Sequence, residues 1–149
     1  MLELQDGVLV LNSNGTYYEV GVTLDEVIKR LTQLGYVPTE EDHEAIKFEM
    51  IKITNYTLNY CHITQIPSII NPRLIDRICG EFLFYKKNSG SMEGFDYEPA
   101  IKQIKEGDTT LAYAVGQGED TPENRFDAMV KQLERGYDKW ITPHRRLRW

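Results

Sequence analysis

Two cysteines, three histidines and a run of acids are the places where this chain could do chemistry. Cys61-His62 together with Cys79 is its nearest approach to a metal set, and His43 and His144 are the other histidines. Zinc takes four such ligands at characteristic spacing, and there is no C-x-x-C or H-x-x-x-H to supply it. Both cysteines fall at positions that periodicity puts on apolar helix faces, where a free thiol serves as a small hydrophobe. Gly116-Gln117-Gly118 has no third glycine at the dinucleotide-binding spacing, since position 121 is Thr, and no βαβ unit leads into it, so it reads as a turn. Glu40-Glu41-Asp42 opens a helix. Three consecutive acids point in different directions and suit the positive helix end, so a solvated face is expected there and not a cation site. Asp25 and Glu26 read the same way. No catalytic residue, no metal site and no cofactor site is therefore expected, and the chain reads as a protein that is not an enzyme.

The C-terminal end is the segment this reading does not absorb. After Thr142 come Arg145, Arg146 and Arg148 with no acid, which gives the tail +3 and leaves the preceding body at -9 of a total of -6. The segment also holds Trp140, Leu147 and Trp149, and Arg and Trp are frequent anchors of protein interfaces. One reading is a tail that folds back on its own domain with its arginines paired to body acids. The other is a tail that docks on a partner. DNA held by three arginines alone would bind weakly and release in salt.

The elements that must position these residues follow from pattern. The 149 residues, 41% hydrophobic and 27% charged, are enough for one domain with its own core. An acidic body argues against wrapping nucleic acid. No run of about 18 apolar residues is present, so no membrane span is expected. The start has neither a basic region nor a long apolar one, so the expectation is a reducing compartment. Val8-Leu9-Val10-Leu11 and Thr16 to Val20 flank the turn formers Asn12 to Gly15, which predicts a short N-terminal hairpin. Thr23-Leu24-Asp25-Glu26 is a capping box opening a helix with Leu24, Val27, Ile28, Leu31 and Leu34 on one stripe, closed by Gly35.

Thr39-Glu40-Glu41-Asp42 is a second capping box, a weaker variant because Asp reaches less far than Glu, and it opens a long helix. Ile46, Met50, Ile53, Thr57 and Tyr60 form its stripe, with Phe48, Ile51 and Leu58 widening it. It is expected to stop near His62, ahead of Ile66-Pro67. Asn71 as N-cap and Pro72 start a third helix that buries Ile75, Ile78, Cys79, Phe82 and Leu83. Asn88 to Gly94 reads as a loop and Phe95 to Glu106 as a short helix. Residues 109 to 115 alternate, with Leu111, Tyr113 and Val115 on one side, which predicts a strand arm over about 108–117. A lone strand presents unpaired backbone groups that seek a partner edge, and Val8 to Leu11 or Thr16 to Val20 could supply one within the chain. Thr121 and Pro122 open the last clear helix, with Phe126, Met129, Val130 and Leu133 inward and Gly136 at its end. The fold class is mainly α: a small domain of about four main helices with a strand or hairpin arm and a short N-terminal β-hairpin.

Five segments taken in order carry a resemblance. They are Asn59 to Pro67, Ile78 to Phe82, Glu106 to Thr110, Thr121 to Phe126, and Arg145 to Trp149. In order and spacing they resemble the head-tail connector (adaptor, head-completion) proteins of tailed phages and prophages of Gram-positive bacteria, over about Leu24 to Trp149. The resemblance implies a helical virion protein of the neck, assembled in the host cytoplasm. It would form a homo-oligomeric ring, commonly of twelve copies, beneath the portal protein, extend the DNA channel, and present a platform to a stopper or tail-completion protein. DNA would be a non-specific passenger. The chain would divide into an N-terminal hairpin extension at 1–22, a helical connector domain at 23–138 and a docking tail at 139–149. Trp140, Arg145, Arg146, Leu147, Arg148 and Trp149 are the candidate portal-docking residues, and in such a ring Thr109, Leu111, Tyr113 and Val115 of the strand arm would be the candidate inter-subunit residues. The runner-up is a small nucleic-acid-binding phage regulator using the basic tail, against which stands the absence of a basic helix.

Overall fold

The computed structural model describes residues 9–11, 17–90, 92, 95, 97 and 121–147. It is mainly helical. Leu9–Leu11 (β1) and Tyr17–Glu19 (β2) pair antiparallel, Leu9 opposite Glu19, ahead of the first helix. The arm at 108–117, and most of the expected helix from Phe95 to Glu106, lie outside the described residues.

Helix α1 (Leu24–Gln33) starts where the Thr23 hydroxyl accepts the Glu26 N–H at 3.2 Å. It ends in a Schellman turn: Gly35 sits at φ 92°, its N–H reaching Thr32 O and the Tyr36 N–H reaching Leu31 O, each at 3.0 Å. Val27, Leu31 and Leu34 are buried, with Leu24 and Ile28 half-buried against the same core.

Helix α2 (Glu40–Cys61) departs from the sequence reading at both ends. Asp42 is not part of a solvated face. It closes the expected capping box by accepting the Thr39 N–H at 3.0 Å, but it is 3% exposed, whereas Glu40 and Glu41 are exposed as expected. The stop comes near His62, but the proline is not its cause: His62 itself turns left-handed at φ 55°, and the Ile63 N–H folds back to Leu58 O at 3.2 Å. Phe48, expected to widen the apolar stripe, is 63% exposed, whereas Leu58 and Cys61 are buried and Ile51 half-buried as expected, and Glu49 and Thr54 join the covered face.

Helix α3 (Asn71–Asn88) is preceded by a 3-10 turn at Ser68–Ile70, so Asn71 is already helical (φ -51°, ψ -45°) and does not serve as N-cap. Pro72 sits in the first turn, where its missing N–H costs nothing. The helix touches each of the four other α-helices among the described residues. Its buried surface therefore runs further round than one stripe and takes in Leu74 and Gly80 besides Ile78, Cys79, Phe82 and Leu83, while Ile75 is only half-buried.

Helix α4 (Pro122–Glu134) is capped by the Thr121 hydroxyl, which accepts the Asn124 N–H at 3.2 Å, and it buries the four residues expected. It crosses α3 at Gly80, where a Cβ would meet Glu134 Cγ at 2.7 Å and Leu133 Cβ at 3.1 Å, so close approach of the two helices needs the glycine. Gly136 (φ 78°) then reverses the chain into the short helix α5 (Tyr137–Ile141).

Candidate docking surface

The C-terminal end is built onto the body before it becomes a surface. Ile141 is fully buried and Tyr137 nearly so. The Thr57 hydroxyl spends its hydrogen on Ile53 O, so the Tyr137 hydroxyl is the donor in the 2.5 Å bond between them. Burial holds the Tyr137 hydroxyl protonated, its pKa pushed up to about 12. Tyr56 donates to Asp138 Oδ1 at 2.7 Å, and Tyr60 and Thr142 share a hydroxyl bond at 2.9 Å. Past the 3-10 turn at Thr142–His144, the Arg146 N–H donates to Cys61 O at 2.7 Å and closes one of the carbonyls left open at the end of α2.

Of the residues singled out from the sequence, Trp140, Arg145, Arg146 and Leu147 are thus placed around α5 and the end of α2. Trp140 is 48% exposed and Leu147 79%. Arg148 and Trp149 lie outside the described residues, as do Thr109, Leu111, Tyr113 and Val115. The fold-back reading holds for the backbone of the tail, but the arginines do not find body acids: among the described residues neither Arg145 nor Arg146 pairs with a carboxylate. Arg145 instead lies over the Tyr60 ring, 5.1 Å from its centroid, and Tyr60 in turn stacks on Tyr56 at 5.9 Å. On the other flank of α5, Arg73 lies 4.4 Å from the centroid of the Trp140 ring. Sequence reasoning missed Tyr56 and Arg73. Tyr56 lies on the outward side of α2 and Arg73 in the first turn of α3, with no local pattern tying either to Trp140 or Arg145.

Elsewhere several ion pairs join the helices. Lys52 bridges Glu49 and Glu81, and Arg77 bridges Glu81 and Glu134, which ties α2, α3 and α4 together. Burial first, and then the charge of Glu81, pushes the Glu134 carboxyl up. Lys87 joins α3 to Glu123 and Asp127. Both thiols are buried, which raises their pKa: Cys61 bonds Ile141 O and Cys79 faces Val27 O. Among the described residues no three His, Cys, Asp or Glu side chains come together to hold a metal ion, and no helix is long and apolar enough to cross a membrane. A shallow cleft of about 430 Å³ between α1 and α3 is bridged by the Arg30–Asp76 pair at 2.8 Å. No protein-family model, no curated protein and no solved structure matches this chain.

Proposed function

We propose that this chain is a structural head-tail connector of a tailed phage or prophage. It forms a ring, commonly of twelve copies, beneath the portal, extends the DNA channel and links the head to stopper or tail-completion proteins. In this reading the strand arm at about 108–117, through Thr109, Leu111, Tyr113 and Val115, crosses to the neighbouring subunit, and the N-terminal hairpin is an extension of the helical domain. Leu147 and Trp149 enter an apolar groove on the portal while Arg145, Arg146 and Arg148 meet its acidic rim. The protein works by shape and contact in the virion neck, with no cofactor.

The observation that carries the reading is the ordered set of five segments ending in an arginine and aromatic end, of which Arg146 bonds the body through its backbone while Leu147 stays exposed. The test is a truncated chain ending at Thr142. It keeps Tyr137 and Ile141, so it should fold and lose only about 1 kcal/mol with the Arg146 bond. It should fail to co-sediment with portal rings that capture the full chain. Undiminished capture overturns the reading, and a DNA mobility shift at 0.15 M salt without portal capture points to the nucleic-acid regulator.

A further inference from the structure

We propose that the arginine and aromatic surface around α5 is a docking site for an acidic polypeptide segment with an apolar side chain, and that Tyr56, Tyr60 and Arg73 of the body form half of it. The inference rests on the docking reading of the tail given above; it adds the body half and the chemistry of the partner.

Charge is the first support. Arg145 and Arg146 on one flank of α5 and Arg73 on the other stand on a chain of net charge -6, and among the described residues none of the three pairs with a carboxylate. Geometry is the second. Arg73 and Arg145 lie over aromatic rings. A guanidinium held by its face keeps its N–H edge outward, and that edge is the fork that grips a carboxylate with two parallel bonds. Order is the third. The Arg146 N–H bond to Cys61 O, the Tyr60–Thr142 bond and the Tyr56–Asp138 bond set the surface before a partner arrives, so little side-chain freedom is lost on docking. Trp140 and Leu147, both exposed, give an apolar side chain of the partner something to cover.

A nucleic acid fits this surface less well. Bases need open ring faces, but Tyr60 has Tyr56 stacked against it and Arg145 over it, and Trp140 carries Arg73. Three guanidiniums release few counterions from a phosphate chain, too few to hold it at physiological salt.

The experiment is fluorescence anisotropy of the full chain with a short fluorescein-labelled peptide of Glu-Glu-Leu repeats, run beside Lys-Lys-Leu repeats and beside oligo(dT). The acidic peptide should bind, and the other two should bind at least about tenfold more weakly. Arg73→Glu, at an exposed position, should weaken the acidic peptide at least about tenfold with an unchanged far-UV spectrum and thermal midpoint. Arg145→Glu should do the same from the tail side. Equal or tighter binding of oligo(dT), or of the lysine peptide, overturns the proposal, as does wild-type affinity in Arg73→Glu. The portal-capture assay separates the two claims. If truncation at Thr142 abolishes capture while Arg73→Glu leaves peptide affinity intact, the docking tail stands and the shared surface falls. If truncation leaves capture intact while Arg73→Glu weakens the peptide, the acidic-segment site stands without the portal.

Discussion

Removing the Asp42 carboxylate should cost about 3 kcal/mol of stability, most of it from one pair of partners on α2 and α3. Asp42 accepts the Tyr36 hydroxyl at 2.7 Å, the Thr39 N–H at 3.0 Å and Lys86 Nζ at 2.6 Å, and it is 3% exposed. Breaking a buried charge pair by truncating one partner costs about 3–5 kcal/mol, because the other is left uncompensated. Here the Lys86 side chain is 22% exposed and can turn to water, which sets Asp42→Ala at the low end of that range. The Tyr36 hydroxyl has no such escape. Its ring is buried, and burial and then the Asp42 bond hold it protonated, so it always needs an acceptor. Asp42→Asn keeps one accepting oxygen for Thr39 and Tyr36 but loses the charge and turns an N–H2 donor toward Lys86, whose exposed end can move to water, for about 1–2 kcal/mol. Urea unfolding followed by far-UV circular dichroism at pH 7 reads both variants, and Lys86→Met completes a double-mutant cycle. A loss below about 1 kcal/mol in Asp42→Ala, or a coupling to Lys86 below about 0.5 kcal/mol, would refute the account. The pH dependence gives a second check. Burial pushes the Asp42 carboxyl up, but the bonds from Lys86, Thr39 and Tyr36 outweigh it and hold it below its ordinary value. Its contribution is therefore whole above the unfolded pKa of about 3.9 and fades as pH falls through the lower folded value, so the gap between wild type and Asp42→Asn should narrow in acid.

Two further substitutions test the packing. Gly80→Ala should lose about 1–3 kcal/mol, because the new methyl meets Leu133 Cβ as well as the more compliant Glu134 side chain; an unchanged thermal midpoint would show that α3 and α4 part freely. Ile141→Ala should lose about 2–4 kcal/mol in urea unfolding, since the side chain is fully buried between the body and the chain end; a loss under about 1 kcal/mol would show that α5 is not seated.

Local physics made the helices legible. Thr23 and Thr121 each bond the N–H three residues on, and Gly35 and Gly136 each turn left-handed, because caps and glycine conformations depend on atoms within one turn of the chain. The inward faces of α1 and α4 follow because each of these short helices buries a single stripe. The errors lie where a helix has several neighbours. Periodicity locates the centre of the stripe on α2, but which flank it widens toward depends on where α3 and the chain end stand. That is why Phe48 is exposed while Glu49 and Thr54 are covered. Asp42 is the same lesson at one residue: its capping role is local, and its burial comes from Tyr36 and Lys86.

The candidate surface divides along that line. Sequence by itself determined that the chain ends in an arginine-rich, aromatic segment on an acidic body, since charge and residue type need no coordinates. Only the tertiary structure decided that this segment stacks on Tyr60, bonds Cys61 O and stands beside the Arg73–Trp140 pair. Those contacts join residues more than sixty positions apart, and no local pattern encodes a meeting made by the packing of three helices.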